Sequence, residues 1–268
     1  MADVLRKIFS ESAARFARAE RDEPYESVRD RAASSVAQRR PFLQSLQAAD
    51  GSAIVAEIKR ASPSAGLIAR NFDPAALAAA YDAADAISVL TEPDYFLGDS
   101  SFVDVVRSVT SKPLLRKDFL GSRYAVAHSA AIGSDCILLI VAALDDATLR
   151  ACLDEAREYA LDALVEVHDE RELLRALDAG ARLVGVNNRD LRTLQTDLAC
   201  SELLLPQVPK SVFAISESGM HGVEDLRRVR GAGARGFLIG EALVRSENPS
   251  ELISSLKASL LTQRAQAL

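Results

Sequence analysis

Tryptophan is absent from this 268-residue chain and aromatic residues supply only 5% of it, so leucine, valine, isoleucine and alanine must fill any interior. Aliphatic interiors of that kind suit barrels of parallel strands, and the composition favours an α/β fold over a β-sandwich. Cysteine is scarce as well: Cys136, Cys152 and Cys200 are odd in number, far apart and without C-x-x-C spacing. They indicate neither a disulfide framework nor a zinc site, and read as small buried apolar residues in a reducing compartment. His128, His168 and His221 are equally scattered, with no H-x-x-x-H or H-E-x-x-H pattern, so no metal is expected.

Basic excess is missing too. The net charge of −6 argues against nucleic acid as the main partner, since duplex binding needs a concentrated basic surface. A small anionic ligand remains compatible, because a few lysines in one pocket outweigh a mildly acidic exterior. Around Met1 to Glu11, Arg6 and Lys7 are offset by Asp3 and Glu11, and no apolar run long enough for a signal peptide or membrane span follows. A cytoplasmic protein without a membrane partner is expected.

What is present is a chain 49% hydrophobic and 26% charged, long enough to close an α/β barrel as one domain over residues 1–268. From Ile54 onward, short apolar runs rich in β-branched residues alternate with longer amphipathic segments, the pattern of a parallel sheet with crossover helices. Eight runs read as strands: Ala53 to Ile58, Ala86 to Leu90, Pro113 to Arg116, Cys136 to Val141, Ala163 to Val167, Leu183 to Val186, Val212 to Ile215 and Gly236 to Ile239. Their starts recur every ~20 to 33 residues, one strand, loop and helix per unit, which predicts a (β/α)8 barrel.

The helices carry their own punctuation. Asp73-Pro74 should open a helix over Ala75 to Ala84, and Asp169 with Glu172 resembles a capping box for Arg171 to Ala179, stopped by Gly180. Gly133 ends another helix, and Pro249 starts the last, whose stripe is Leu252, Ile253, Leu256 and Leu260. Residues 1–48 fall outside the repeat and read as an N-terminal helical extension, with Val4, Leu5, Ile8 and Phe9 on one face and Val36, Phe42, Leu43 and Leu46 on another. Too polar to fold alone, they should cover an opening of the barrel; a dimerisation arm is the alternative to the favoured monomer.

Alternation along the first strand puts Ile54, Ala56 and Ile58 toward the helices and Val55, Glu57 and Lys59 toward the barrel axis. Unpaired charges in low dielectric cost several kcal/mol, so Glu57 and Lys59 need a reason. The anomaly recurs late in other strands, at Lys117, Glu166 and Asn187. A salt-bridged core would explain any one of them. Because the carboxyl ends of barrel strands form the active face, together they predict one pocket holding two acids, two bases and an amide, with pKa values drawn toward neutrality for proton transfer. Near the seventh and eighth strands, Ser216-Glu217-Ser218-Gly219 and Ile239-Gly240 end apolar runs in small residues, the usual place for a phosphate in such barrels, although Ser-Gly is also a common turn.

Ile54-Val55-Ala56-Glu57-Ile58-Lys59-Arg60-Ala61-Ser62-Pro63-Ser64 resembles the signature of the indole-3-glycerol phosphate synthase family. The likeness continues through Asn71-Phe72-Asp73-Pro74, Ala86 to Glu92, Leu115-Arg116-Lys117-Asp118-Phe119, Leu164-Val165-Glu166-Val167, Gly185-Val186-Asn187-Asn188-Arg189-Asp190-Leu191, Ser216 to Gly219 and Gly236 to Gly240. The resemblance implies closure, decarboxylation and dehydration of 1-(2-carboxyphenylamino)-1-deoxyribulose 5-phosphate to indole-3-glycerol phosphate, without a cofactor. It implies Lys117 as general acid on the ketose oxygen, with its pKa drawn down, and Glu166 as general base in the later dehydration. Lys59 would hold the substrate's carboxylate or phosphate and is a second candidate proton donor. Glu57 would orient the lysines and stabilise the cationic ring, and Asn187 and Ser218 would position hydroxyls and the lysines' partners.

By the same resemblance Ser62, Arg189, Gly219 and Gly240 serve the phosphate end, and Pro63, Phe96, Phe119 and Leu138 clamp the aromatic ring. Glu241, where some relatives have a small hydroxyl residue, would have to turn its carboxylate away. Two other readings stand beside this one. A phosphosugar isomerase of the same barrel type would use a cysteine and an aspartate, whereas this sequence has two lysines and two glutamates at the strand ends and no cysteine there; a barrel kept as a binding scaffold would be expected to lose Lys117 or Glu166.

Overall fold

The computed structural model describes residues 3–190 and 193–266; Met1 and Leu191 lie outside the described residues. Eight parallel strands, β1 (Ala53–Ile58), β2 (Ala86–Leu90), β3 (Leu114–Lys117), β4 (Cys136–Ile140), β5 (Asp162–Val167), β6 (Leu183–Asn187), β7 (Phe213–Glu217) and β8 (Gly236–Ile239), close into a barrel in which β1 pairs with both β2 and β8. The strand periodicity of the sequence therefore becomes the predicted (β/α)8 barrel.

Pleating sorts side chains into two shells. Ile54, Ala56 and Ile58 join Ile87, Val89, Ile137, Leu139, Val165 and Val167 against the surrounding helices, whereas Ala53, Val55, Leu115, Leu138, Leu164, Ile215 and Leu238 fill the axis. Several strands run one or two residues further than their apolar runs suggest. Lys117, Asn187 and Glu217 belong to strands, and are polar because their side chains end in the cavity above the axial layers.

Among the described residues, twelve α-helices accompany the strands. Three precede the barrel: α1 (Asp3–Asp22), α2 (Tyr25–Ser34) and α3 (Phe42–Ala48). Between barrel strands lie α4 (Pro74–Ala80), α5 (Ser101–Val109), α6 (Arg123–Ala131), α7 (Asp146–Glu158), α8 (Glu170–Asp178), α9 (Ala199–Leu204) and α10 (Val223–Gly231), and after β8 come α11 (Glu241–Val244) and α12 (Pro249–Gln266). Asp73 caps α4 by accepting the N–H groups of Ala75 and Ala76, but that helix ends at Ala80, short of Ala84, as Tyr81 turns inward and is fully buried. The cap of α8 departs from a capping box in one bond. Asp169 Oδ1 accepts the Glu172 N–H at 2.8 Å, yet Glu172 returns its carboxylate to the backbone N–H of His168, not of Asp169.

The N-terminal helices meet opposite ends of the barrel. Phe42, Leu43 and Leu46 of α3 are buried against the axial residues, and the Leu43 N–H donates to Asp162 at the start of β5, so α3 seals the amino end. Helix α1 lies at the carboxyl end, where Val4, Leu5 and Ile8 line the cavity. Arg15 fastens it, donating to Asp118 Oδ1 at 2.7 Å just past Lys117. Between them, α2 buries Val28 and Ala32 and packs on α6, and the Tyr25 hydroxyl donates to Glu155 at 2.6 Å.

Candidate active site

Every strand-end residue singled out by its charge reaches one cavity at the carboxyl face, bounded by Glu57, Lys59, Lys117, Glu166 and Asn187 together with Glu217. Lys117 holds its centre. Its Nζ lies 2.8 Å from Glu217 Oε2 and 3.2 Å from Glu166 Oε2, and Glu217 and Asn187 are register partners on β7 and β6. Lys59 donates to Glu57 Oε1 on the adjoining side, at the tip of β1.

These charges shift one another. Burial favours a neutral Lys117 amine, but Glu217, Glu166 and Glu57 outweigh it and raise the pKa above the ordinary lysine value. The sequence-based expectation of a lysine drawn down toward neutrality is therefore corrected: three carboxylates around one ammonium keep it charged. Burial pushes Glu217 up to about 7, an effect that the nearby Lys117 only partly offsets. Its other oxygen, Oε1, is buried and meets no hydrogen-bond donor among the described residues. Glu166 goes the opposite way; burial raises it, but Lys117 and His168 pull it down to about 2. Two carboxyls within reach of the same ammonium thus hold their protons differently, a separation suited to acid and base work.

Asn187 is fixed by its backbone neighbour, its Oδ1 accepting the Arg189 N–H at 3.0 Å, while the Arg189 guanidinium donates to the Leu194 carbonyl. Ser218, directly after Glu217, adopts φ of 64°, and Gly219 follows at 78°. This left-handed pair turns the chain at the cavity, at no cost to Gly219 but with strain at Ser218 of a kind that clusters at functional sites. Gly240 lacks a side chain for a different reason: a Cβ there would run into the Glu57 carboxylate and come within 3.2 Å of Lys59 Nζ. Glu241 stays in the cavity lining, and its carboxylate accepts from Arg245 Nε at 2.9 Å.

Arg189, Ser218, Gly219 and Gly240 line the cavity together with Ser62, whose Oγ accepts the Ala65 N–H at 3.2 Å in the short hairpin Ala61–Ser62 and Gly66–Leu67. The apolar wall contains Pro63, Leu138, Phe96 and Phe119, the two rings 6.0 Å apart.

Two groups at this site escape a reading of the sequence alone. Glu217 sits in what looks like a polar turn, Ser216 to Gly219; extending the inward alternation of Phe213 and Ile215 by one step would have found it. His168, two residues after Glu166, touches that carboxylate with Nε2 at 3.3 Å. A search for metal patterns passes over it. Beneath the site lies an unforeseen buried network, in which Arg116 donates to Asp118 at 2.9 Å, Thr91 at 3.0 Å and Ser129 at 3.1 Å.

Comparison with known proteins identifies the family. Residues 5–256 match the family described as indole-3-glycerol phosphate synthase. An indole-3-glycerol phosphate synthase of Parafrankia sp. is 50% identical over 205 residues, 76% of each chain. That of Rhodospirillum rubrum is 44% identical over 265 residues, 96% of this chain and 99% of the relative. Among solved structures, 3-hexulose-6-phosphate synthase from Salmonella typhimurium superposes with a TM-score of 0.64 at 15% identity, covering 78% of this chain and 99% of that one, a likeness of fold. No helix among the described residues is long and apolar enough to cross a membrane. The chain belongs to the indole-3-glycerol phosphate synthase family and is a decarboxylating lyase of tryptophan biosynthesis.

Proposed function

We propose that Lys117 and Glu166 carry the proton transfers of ring closure and dehydration. The anthranilate ring carbon that bears the carboxylate attacks the ketose carbonyl carbon, and the electron pair displaced onto oxygen takes a proton from Lys117. An alkoxide is far more basic than an amine, so an ammonium held charged by its neighbours still protonates it readily, and it is loaded at every neutral pH. Loss of CO2 returns an electron pair to the cationic ring. In the last stage the new hydroxyl takes a proton from Lys59, the second donor, and leaves as water, while a proton departs from carbon to the Glu166 carboxylate, which its cationic neighbours keep ionised.

The remaining residues divide by chemistry. Glu57 orients Lys59 and faces the positive charge that develops on ring closure; Lys59 takes the substrate carboxylate or phosphate and is the second proton donor. Asn187 and Ser218 position the hydroxyls. The phosphate lies among Ser62, Arg189, Gly219 and Gly240, and the aromatic ring sits on Pro63, Phe96, Phe119 and Leu138. Packing of α1 to α3 on their own barrel supports a single-domain monomer, and the free thiols of Cys136, Cys152 and Cys200 are in keeping with the cytoplasm.

The observation that carries the reading is Lys117 Nζ within hydrogen-bonding reach of both Glu166 and Glu217 in one cavity. An isomerase would require a cysteine here for acid–base work, yet Cys136 is fully buried on the axis and burial pushes its thiol up. The test is formation of fluorescent indole product by the purified chain and by Lys117→Met. Turnover by the former and its loss in the latter support the assignment; full turnover by Lys117→Met removes Lys117 from the mechanism.

A further inference from the structure

At the junction of β5 and α8 the ring of His168 stands between two carboxylates. Nε2 is 3.3 Å from Glu166 Oε1 and Nδ1 is 3.0 Å from Glu172 Oε2. The same Glu172 oxygen accepts the His168 backbone N–H at 2.8 Å, so one carboxylate fixes both the main chain and the ring of this residue. Glu166 in turn is divided between two cations, Oε1 facing His168 and Oε2 facing Lys117.

We propose that His168 is a positioning residue for the general base: clamped by Glu172, its imidazolium holds Glu166 Oε1 and leaves Oε2 directed at Lys117 and the substrate. The inference rests on the reading of Glu166 as base.

The need for such a device follows from the chemistry. Lys117 is the natural countercharge of Glu166, but it gives up its proton during ring closure, and a buried carboxylate left without a cation would itself become protonated. A second cation, not consumed by the reaction, keeps Glu166 ionised until its turn. The ion pair also disfavours swinging Oε1 away about its last torsion, which is otherwise broad and two-fold. Burial works against a charged His168, but Glu166 and Glu172 outweigh it and raise its pKa to about 10, so the imidazolium persists at neutral pH.

The wider surroundings reinforce this. Asp169 on the same turn and Asp190 and Asp197 from the loop after β6 line the cavity behind the ring, together with Arg6 of α1. Cys200 of α9 donates its thiol to the His168 carbonyl at 3.4 Å. On the substrate side, beyond Glu166, stand Lys117 of β3, Glu217 of β7 and Glu57 of β1.

The experiment uses the full chain and its His168→Ala, His168→Gln, Glu172→Gln and Glu166→Gln variants, each checked by thermal melting and followed as kcat and KM against pH. His168→Ala should lose about tenfold to a hundredfold in kcat at pH 7 from misplacement of the base. Its KM should stay within about threefold of the parent. The acidic limb of its kcat profile should rise by about one pH unit or more, since a cation in contact with the carboxylate has gone. His168→Gln, which keeps a donor without the charge, should recover part of kcat with the limb still displaced, and Glu172→Gln should displace it less in the same direction. A folded His168→Ala with an unmoved limb overturns the proposal, as does a loss equal at all pH values. Should that variant not fold, His168→Gln and Glu172→Gln decide by the same criterion. Near-normal turnover by Glu166→Gln would instead remove the base reading, whereas a crippled Glu166→Gln beside unmoved limbs removes only the role of His168.

Discussion

Lys117 Nζ and Glu217 Oε2 are 2.8 Å apart at the ends of β3 and β7, the shortest of the contacts this lysine makes with the two carboxylates it bridges. The pair ties together strands from well-separated parts of the barrel, and it makes stability depend on pH. Burial lifts Glu217 to about 7 from its ordinary 4.5, so between those values the native state holds a proton that the unfolded chain has released. This contribution is complete below pH 4.5 and is lost as pH rises toward 7, roughly 3 kcal/mol in all. Glu217→Gln should flatten that slope. His168 adds a fall of its own between 6.5 and about 10, common to both proteins, so melting curves compared from pH 4.5 to 7 isolate Glu217. Parallel slopes would refute it.

Glu166→Gln keeps the shape of the side chain and removes its basicity. A loss of about 10²- to 10⁴-fold in kcat is expected, the usual worth of a positioned acid or base. KM should change little, because the proton that this group accepts leaves late in the reaction. Steady-state kinetics under the same fluorescence readout check it, and an unaltered kcat rules out the assignment.

Gly240→Ala introduces a methyl group where the Glu57 carboxylate already lies. Displacing the Glu57–Lys59 pair should cut kcat/KM roughly tenfold or more through misplacement alone. The circular dichroism spectrum should be unchanged, since β8 ends before this residue. Parental kcat/KM in this variant would mean that the pair has no part in catalysis.

Phe42 is fully buried under the axial layer, and Phe42→Ala should cost about 3–5 kcal/mol by opening a hole at the amino end. Chemical denaturation measures this directly. A loss below about 1 kcal/mol would mean that α3 collapses into the space and that its fit is loose.

The barrel was legible because pleating writes itself into the sequence: Ile54, Ala56 and Ile58 against Val55, Glu57 and Lys59 is enough to orient β1. Charges at apolar positions exposed Lys117 and Glu166 for the same reason. Glu217 was hidden by its company, since serines on either side make a strand end look like a loop. His168 was hidden because its role depends on contacts with Glu166 and Glu172, and a lone histidine carries no spacing pattern of its own. The early stop of α4 was illegible too, for the helical pattern continues past Ala80 while Tyr81 is drawn inward by burial.

With its axis filled by side chains and α3 packed beneath them, the barrel is a cul-de-sac. Carbon dioxide and water released at the floor have to leave by the doorway through which the substrate arrived, past Val4, Leu5 and Ile8. The seating of the first helix, pinned by Arg15 on Asp118 one residue from Lys117, therefore governs traffic in both directions.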